Sequence, residues 1–510
     1  MRTRLLAWLA FFALCGLAPA AAGPLGLFEA QSDVGNVAPP GTAAFDPATG
    51  TYALTSAGAN LWYREDDFHF LWKKMAGDAA IQADVTWPPA SYGHPPIAHR
   101  KALLMFRQTL DPDGVYVDVA PHGDGTIALQ YRRERGANTQ DIEINLGATK
   151  TVRLEKRGDV FTLLASFHGE PLHRMGASIT LHLEGDFYAG LGLTSHDVNT
   201  TDTVQFSNVR LEAPPPLPIA RPTIWSTLQV IQTEDPFRRA MMIRTARGVF
   251  EGPNVAPDGT YLLINANGRL WKVPYLDPKT PHGGEPEPFD IGDLKGCWGE
   301  HGFSPDGKWL AVSCSLPGSE WPDVFVVPAA GGAARQVTHQ PIAFFRGWSP
   351  DSHTIVFASK TPDGNADLYA IAAAGGTAVR LTSGANNDGA EYTPDGSWIY
   401  FNSDRAGTMQ IWRMRPDGSA AEQVTHDEFN DWYPHVSPDG KQIVFLAYDK
   451  DITGHAMNRQ VRLRLLDTAT GEVRTLVDLF GGQGSLDSPS WLDKNHLGFT
   501  SYEIWPAGTP

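Results

Sequence analysis

Cysteine is scarce in this chain: there are three in 510 residues, and only Cys297 and Cys314 lie beyond the first 23 positions. Basic residues are also few, with 41 Lys and Arg against 57 Asp and Glu, so the formal net charge is −16. Nucleic acid and anionic membrane surfaces are poor partners for such a chain. Beyond residue 23, no stretch approaches the roughly 20 apolar residues of a membrane helix, which excludes that kind of segment there.

Several catalytic motifs are also missing. The chain has no Gly-x-Ser-x-Gly elbow, no His-Glu-x-x-His motif and no phosphate-binding glycine loop. Serine hydrolase, zinc protease and nucleotide chemistry therefore have no support. No α/β-hydrolase domain accompanies the β-rich sequence, which excludes an enzyme of the prolyl oligopeptidase type.

The first 23 residues predict export. Arg2 and Arg4 precede an apolar stretch from Leu5 to Leu17, and small residues follow at 18–22. This is the layout of a cleavable secretory signal. Its removal takes two positive charges, so the mature formal charge becomes −18. We expect a periplasmic or extracellular protein.

One short phrase, a small residue followed by Pro-Asp-Gly, recurs five times in the second half of the chain, with Ser352 replacing the third glycine. Its prolines are 48, 45, 44 and 44 residues apart, at Pro257, Pro305, Pro350, Pro394 and Pro438. Pro, Asp and Gly together favour a tight turn, and an apolar strand follows each one. A period of about 45 residues built this way is typical of propeller blades.

A sixth, degenerate unit begins near residue 488 and ends after two strands. The runs 228–231 and 241–245 precede the first blade and read as strands that close the ring against those last two. We therefore predict six blades, with the two ends of the propeller segment interlocked in one sheet. The repeated pattern resembles the PD40 repeats of TolB-like propellers over roughly residues 224–505, which implies fold more than function.

Residues 24–212 contain none of these phrases and end at a proline-rich linker, 213–223. Alternating runs such as 80–85, 115–119 and 160–164 read as half-buried antiparallel strands. The phrases at 57–62, 101–107 and 190–197 resemble the DUF1349 group of concanavalin A-like jelly rolls. The predicted fold is all-β: signal peptide 1–23, β-sandwich 24–212, linker 213–223 and propeller 224–510.

The two remaining cysteines flank the 304–308 hairpin. Strand pairing around that turn brings residue 297 opposite about residue 315, within bonding range in an oxidising compartment. The sequence therefore predicts a Cys297–Cys314 disulfide, with two buried free thiols as the alternative.

Polar residues just before each turn lie on the innermost strand of a blade, so we expect them to meet around the central funnel. The catalytic candidates are His301, Arg346, Asp388, Glu391 and His435. The ligand-binding candidates are Asn254, Glu300, Asp431, His455, Trp62 and Trp72, the two tryptophans being platforms for sugar rings or core residues of the sandwich.

Three chemistries fit this funnel. His301, His435 and His455 together with carboxylates can hold a divalent cation such as Ca²⁺, Mn²⁺ or Zn²⁺. The same histidines and carboxylates can form the general acid and base pair of a glycosidase. Alternatively, the charges pair across blades and hold them in register. The funnel also resembles that of oligogalacturonate lyases, which implies a histidine-bound metal and a substrate-binding role for Arg346.

The leading hypothesis is an exported two-domain protein that recognises a polysaccharide or another cell-envelope polymer. The first alternative is a polysaccharide lyase or glycoside hydrolase with its active site in the funnel. The second is a scaffold that binds other envelope proteins.

Overall fold

The computed structural model describes residues 25–88, 97–144, 149–166, 169, 171–215, 223–234, 240–274, 285–316, 318–339, 342–486 and 490–505. The predicted signal peptide lies outside these residues. Within them the regular structure is entirely β, as predicted. Nothing helical in this part of the chain has the length and hydropathy needed to span a bilayer.

Fourteen strands form the N-terminal part of the described chain. They are β1 (Ala30–Val34), β2 (Thr42–Asp46), β3 (Thr51–Ser56), β4 (Phe68–Met75), β5 (Ala79–Thr86), β6 (Lys101–Arg107), β7 (Tyr116–Pro121), β8 (Ile127–Arg132), β9 (Gln140–Ile144), β10 (Thr151–Arg157), β11 (Val160–Ser166), β12 (His173–Thr180), β13 (Phe187–Thr194) and β14 (Asp202–Glu212).

These strands form two sheets that pack face to face. One has the order β12-β11-β10-β5-β14-β3-β2, and the other runs β1-β4-β13-β6-β7-β8-β9 and continues beyond β9. Alternate residues point into the space between the sheets; in β3, for example, Tyr52 and Leu54 are buried while their neighbours are half-buried. The core joins Leu154 and Phe161 of one sheet to Phe106 of the other. Residues 25–212 therefore contain a β-sandwich; its concanavalin A-like character stays a prediction.

The C-terminal part contains the remaining strands. They are β15 (Thr223–Gln232), β16 (Ala240–Arg247), β17 (Phe250–Val255), β18 (Tyr261–Ala266), β19 (Arg269–Pro274), β20 (Glu287–Pro288), β21 (Lys295–Phe303), β22 (Trp309–Ser315), β23 (Pro322–Pro328), β24 (Arg335–Gln336), β25 (Ala343–Trp348), β26 (Thr354–Lys360), β27 (Ala366–Ala372), β28 (Val379–Arg380), β29 (Asn387–Tyr392), β30 (Ile399–Ser403), β31 (Gln410–Met414), β32 (Glu422–Gln423), β33 (Asn430–Val436), β34 (Gln442–Tyr448), β35 (Arg459–Asp467), β36 (Val473–Gly481) and β37 (His496–Trp505).

Five four-stranded antiparallel sheets follow one another from β17 to β36, and each is one propeller blade. The Pro-Asp-Gly turn joins the first and second strands of a blade. In blade two, the Ser304 hydroxyl donates a hydrogen bond to the Asp306 carboxylate over 2.6 Å, and that carboxylate accepts the Lys308 amide over 3.1 Å. Gly307 has a φ of 69°, which an L-residue adopts only with strain. The repeat therefore encodes the hairpin that sets the blade period.

The prediction of six blades is corrected to five. The last repeat contributes β37 and an isolated bridge between Trp491 and Leu497, and it forms no separate four-stranded sheet among the described residues. The predicted interlock does form: β37 pairs antiparallel with β15 from Thr223↔Trp505 to Gln232↔His496, and β15 pairs with β16. We call β15, β16 and β37 the closing sheet. It packs against the first and fifth blades.

The closing sheet also continues into the sandwich. β16 pairs in parallel with β9 through Ala240↔Ile142, Met241↔Glu143 and Met242↔Ile144. One sheet of ten strands therefore runs from the edge of the sandwich at β1 to the last strand of the propeller. Sequence reasoning missed this joint, because β9 and β16 are far apart in the chain and a parallel partner leaves no local sequence pattern.

The predicted disulfide is confirmed. Cys297 and Cys314 lie directly opposite each other on β21 and β22, and their sulfurs are bonded at 2.11 Å. The bond links the innermost strand of blade two to its neighbour. Both cysteines belong to the apolar cluster between the first and second blades.

Replacing both cysteines, Cys297→Ala with Cys314→Ala, is expected to lower the free energy of unfolding of the propeller. The closed loop spans 17 residues, and the entropy of an unfolded loop of that size corresponds to about 3 kcal/mol. Urea unfolding followed by tryptophan fluorescence measures the loss. Reductant should shift the urea midpoint of the wild type in the same direction and leave that of the double variant unchanged. Equal midpoints for the wild type and the double variant without reductant contradict the prediction.

Candidate functional site

The first strands of successive blades, β17, β21, β25, β29 and β33, contact one another in order around a central channel. Each contains an irregularity in its pairing, for example between Asp388 and Glu391 in β29 and between Trp432 and His435 in β33. A bulge turns a side chain away from the regular alternation. Each of these strands ends at its Pro-Asp turn, so one end of the channel carries the turns. We call the opposite end the mouth.

Arg346 of blade three is the centre of the charge network toward the mouth. Its guanidinium donates two hydrogen bonds to Asp388 of blade four, at 2.6 and 3.0 Å, and one to Glu300 of blade two, at 3.3 Å. All three side chains are almost entirely buried. The ion pairs therefore connect three successive blades, and the charge of Arg346 is neutralised by protein carboxylates.

Aromatic rings enclose the same guanidinium. Its central carbon lies 5.6 Å from the ring centre of Phe344 and 5.3 Å from that of Tyr433. Tyr433 has a φ of 57°, an unusual conformation for a bulky residue. Its amide donates to the Asn402 side-chain oxygen over 3.1 Å, which helps to fix this conformation. Strain of this kind concentrates at functional sites, where the surrounding structure holds it in place.

His455 reaches the mouth from the connection between β34 and β35. Its ring centre lies 4.6 Å from that of Trp432 and 5.3 Å from that of Tyr433. Burial lowers the pKa of His455, with the Arg346 charge acting in the same direction and the Asp388 charge against it. The imidazole is therefore a neutral, aromatic part of the channel wall at pH 7.

Two carboxyl groups of neighbouring blades, Glu251 and Glu300, influence each other. Burial raises the pKa of Glu251 to about 7, and the charge of Glu300 adds to the rise. Burial also raises the pKa of Glu300, against the opposing effect of Arg346. Glu251 is therefore poised to change its protonation state near neutral pH.

A second layer of polar contacts lies closer to the turns. His435 Nδ1 is 2.7 Å from the Glu391 carboxylate, and His435 Nε2 is 3.0 Å from the Leu486 carbonyl oxygen. Glu391 also accepts the amide of Val436 over 3.2 Å. Asn254 accepts the amide of Phe303 over 3.3 Å, from blade one to blade two. These side chains form hydrogen bonds between adjacent sheets. This supports the interpretation that the polar groups of the channel hold the blades in register.

Two predicted channel residues point elsewhere. His301 is fully buried, its Nε2 lies 3.3 Å from the Leu263 carbonyl of blade one, and burial lowers its pKa to about 4. Asp431 faces Arg464 of β35 at 3.5 Å, and burial, with the Asp427 charge second, raises its pKa to about 8. The prediction that both face the channel is corrected: His301 lies between blades and Asp431 lies within the fifth.

The predicted metal site is not formed by the described side chains. Among the residues that the structure describes, no three His, Cys, Asp or Glu side chains are gathered as a cation would require. His301 contacts a carbonyl between blades, His435 pairs with Glu391, and His455 packs on aromatic rings. The sequence spacing could not show this, because it gives the strand or connection that carries each histidine and not the direction of its ring.

The two candidate tryptophans of the sandwich have protein partners of their own. The Lys101 ammonium lies 4.9 Å from the ring centre of Trp62. Trp72 packs edge-on against Tyr188, with centres 4.9 Å apart, and its indole donates to the Ser32 hydroxyl over 3.1 Å. Both are half-buried, so their sugar-binding role stays a prediction.

Sequence reasoning missed the aromatic residues of the mouth. Trp298 and Phe344 pack edge to face, with centres 5.4 Å apart, beside Arg346. Leu316 and Trp321, in the connection between β22 and β23 at the same end of blade two, are 39% and 48% exposed. The sequence did contain a signal for these aromatic residues. Phe344 and Trp432 lie six residues before the prolines of their turns, and the equivalent positions in two other blades are the channel residues Glu251 and Asp388.

Comparison with known proteins bears on the propeller. The family model described as "TolB beta propeller domain" (PD40) matches residues 342–492. The uncharacterized protein Atu1656 of Agrobacterium fabrum is 41% identical over 268 residues, which cover 52% of this chain and 89% of that protein. A solved structure, that of a putative TolB from Agrobacterium tumefaciens, is 37% identical, with a TM-score of 0.52; the match covers 55% of this chain and 99% of that one.

A more distant relative is the Tol-Pal system protein TolB of Francisella tularensis subsp. holarctica, which is 24% identical over 273 residues. That match covers 52% of this chain and 59% of the relative. The chain therefore spans about three fifths of the length of this curated relative.

Replacing Arg346 by Met is expected to destabilise the propeller by about 3–5 kcal/mol, because it leaves buried carboxylates without their partner. Asp388→Asn in the same chain removes one of those charges, so the double variant should lose less than the sum of the two single variants. Urea unfolding of the four proteins gives the coupling energy. Strictly additive losses contradict the paired network.

Glu251 generates a pH-dependent difference in stability. Its pKa is about 7 in the folded protein against an ordinary value of 4.5. Its contribution is therefore fully present below pH 4.5 and is lost as the pH rises through 7. Between pH 5 and 8 the wild type should lose on the order of 2 kcal/mol more stability than Glu251→Gln, as measured by urea unfolding at each pH. Parallel pH profiles contradict the assignment.

Proposed function

The chain belongs to the family of TolB-like β-propeller proteins, and we propose that it is an exported recognition protein of the cell envelope. The proposed domains are a signal peptide at 1–23, a concanavalin A-like sandwich at 24–212, a linker at 213–223 and the propeller at 224–510. The binding site for the envelope partner is the mouth of the propeller.

The state of Arg346 is the observation that carries this proposal. A lyase acting on uronic acids needs a cation free to meet the substrate carboxylate, whereas Arg346 is held by Asp388 and Glu300 inside the channel wall. The candidate acid and base, Glu391 and His435, likewise pair with each other and are mostly buried. The polar groups of the channel therefore have a structural role, in which they hold the blades together. This favours a binding function over lyase or hydrolase chemistry.

The mouth offers the kind of surface that binds polymers. Trp298 and Phe344 are half-buried near the channel, and Trp321 is largely exposed on the same end of the propeller. Tryptophan supplies large contact areas at little entropic cost and dominates many interfaces. Flat rings also stack on the C–H faces of sugars. The aromatic surface suits either a glycan chain or a peptide segment.

The charge of the protein restricts the chemical class of its binding partner. Around the mouth, Arg346 is already paired with Glu300 and Asp388, and the whole chain carries a formal net charge of −16. An anionic polymer meets repulsion in such a field, while neutral and cationic groups do not. We therefore propose a neutral polysaccharide of the envelope as the partner, or a basic segment of an envelope protein as the second candidate, which the kinship to a Tol-Pal system protein favours.

Binding to immobilised polymers tests the proposal. We expect purified mature protein to bind a neutral polysaccharide or an envelope protein and to bind uronic-acid polymers at least tenfold more weakly. Trp321→Ala, at the mouth, should weaken binding about tenfold, in line with the loss of one aromatic contact. Trp309→Ala is the matched control, since Trp309 is 39% exposed in the same blade but lies beside the turn at the opposite end.

The same samples are assayed for reducing ends and unsaturated products. Product formation that disappears in Glu391→Gln or His435→Ala would identify a catalytic funnel and replace the binding proposal with the lyase or hydrolase alternative. Equal binding by the Trp321 and Trp309 variants would place the partner site elsewhere. Binding to an envelope protein but to none of the glycans would favour the alternative in which this protein is a scaffold for other envelope proteins.

A further inference from the structure

A cavity of about 330 Å³ lies where the sandwich meets the propeller, away from the mouth. Its walls include Ile142 and Ile179 from the sandwich and Val477, Leu479 and Phe499 from the propeller. Neither part of the chain forms this space alone. Ile504 and Val160 also line it and are 45% and 36% exposed, so the cavity is open to solvent on their side.

Three contacts between the two parts frame the cavity. The parallel pairing of β9 with β16 brings Ile142 and Ala240, both wall residues, into the same sheet. Arg133 donates to the carbonyl oxygens of Thr180, at 2.7 Å, and of Asp478, at 3.3 Å, and so joins the edges of β12 and β36. Arg174 pairs with Glu503 at 2.9 Å. A cavity held by a sheet and two arginine bridges has a defined shape.

The charged wall residues already have ionic partners within the protein. Glu503 pairs with Arg174, Asp478 with Arg462 at 3.5 Å, and Arg157 with Glu155 at 3.1 Å. The remaining polar wall groups are neutral, and two of them, Gln229 and Ser501, are hydrogen-bonded to each other over 2.6 Å. A charged ligand would therefore lose its hydration without gaining an available counter-charge.

We propose that this junction cavity binds an uncharged, mainly apolar small molecule with one or two hydrogen-bonding groups. Its volume lies within the range of small-molecule sites, and such sites favour domain interfaces with apolar walls and few polar groups. The bound molecule contacts both parts of the chain and strengthens their docking.

Fluorescence titration tests the site with two dyes of similar shape. N-phenyl-1-naphthylamine is uncharged, while 1-anilinonaphthalene-8-sulfonate carries a sulfonate. The full mature chain should bind the uncharged dye saturably, with one molecule per chain, and bind the anionic dye at least tenfold more weakly. Failure of the uncharged dye to bind, or equal affinity for the two dyes, overturns the proposal.

Variants locate the dye. Ile504→Glu places a charge at the exposed entrance and should weaken binding of the uncharged dye at least tenfold without disturbing a buried position. Val379→Glu is the matched control, because Val379 is 61% exposed on the outermost strand of blade three. Ile179→Trp fills the cavity and should abolish binding; if it does not fold, the Ile504 variant still decides. Equal affinity in the Ile504 and Val379 variants contradicts the proposal.

Dye binding in the junction cavity should be independent of partner binding at the mouth. Trp321→Ala should leave dye affinity unchanged, whereas saturating dye should leave polymer binding at the mouth detectable. A loss of dye binding in Trp321→Ala would show that the dye occupies the mouth, and it would overturn the junction site without affecting the envelope-recognition proposal.

Discussion

The antiparallel pairing of β15 with β37 holds the first strand of the propeller segment against its last, and ten residue pairs contribute to that ladder. The five blades are bounded on both sides by this closing sheet, so the channel keeps its diameter only while the ladder is intact. Because β16 also pairs with β9, the same sheet fixes the sandwich beside the propeller. The channel network and the junction cavity both depend on this one set of backbone hydrogen bonds.

Within the ring, burial decides what the polar side chains do. An unpaired charge in a low-dielectric channel is costly in free energy. Buried charges of the channel have partners on adjacent blades: Arg346 pairs with Asp388 and Glu300, and Glu391 pairs with His435. These pairs specify how neighbouring blades align. The groups left to meet a ligand are the aromatic rings at the mouth, among them Trp298 and Trp321.

Local sequence signals predicted the local structure well. The Pro-Asp-Gly turns, the all-β fold and the cysteine pair could be read from the chain because each is set by residues near one another in sequence or across one hairpin. The errors arose where distant segments meet. The last strand of the sixth unit pairs in the closing sheet, His301 contacts the neighbouring blade and Asp431 faces Arg464 of its own blade. A repeat defines which strand a residue occupies, but only packing defines where its side chain points.

The closing sheet also sets an order of events during biosynthesis. Gln229 and Ser501 are hydrogen-bonded neighbours although they lie 272 positions apart, so β15 emerges from the ribosome long before its partner exists. An open strand edge exposed for that time invites pairing with other chains. The sandwich precedes β16 in the chain, and its edge strand β9 offers a template on which the waiting strands can assemble. The N-terminal domain thereby supplies an edge, β9, against which β16 pairs before the last strand of the closing sheet is made.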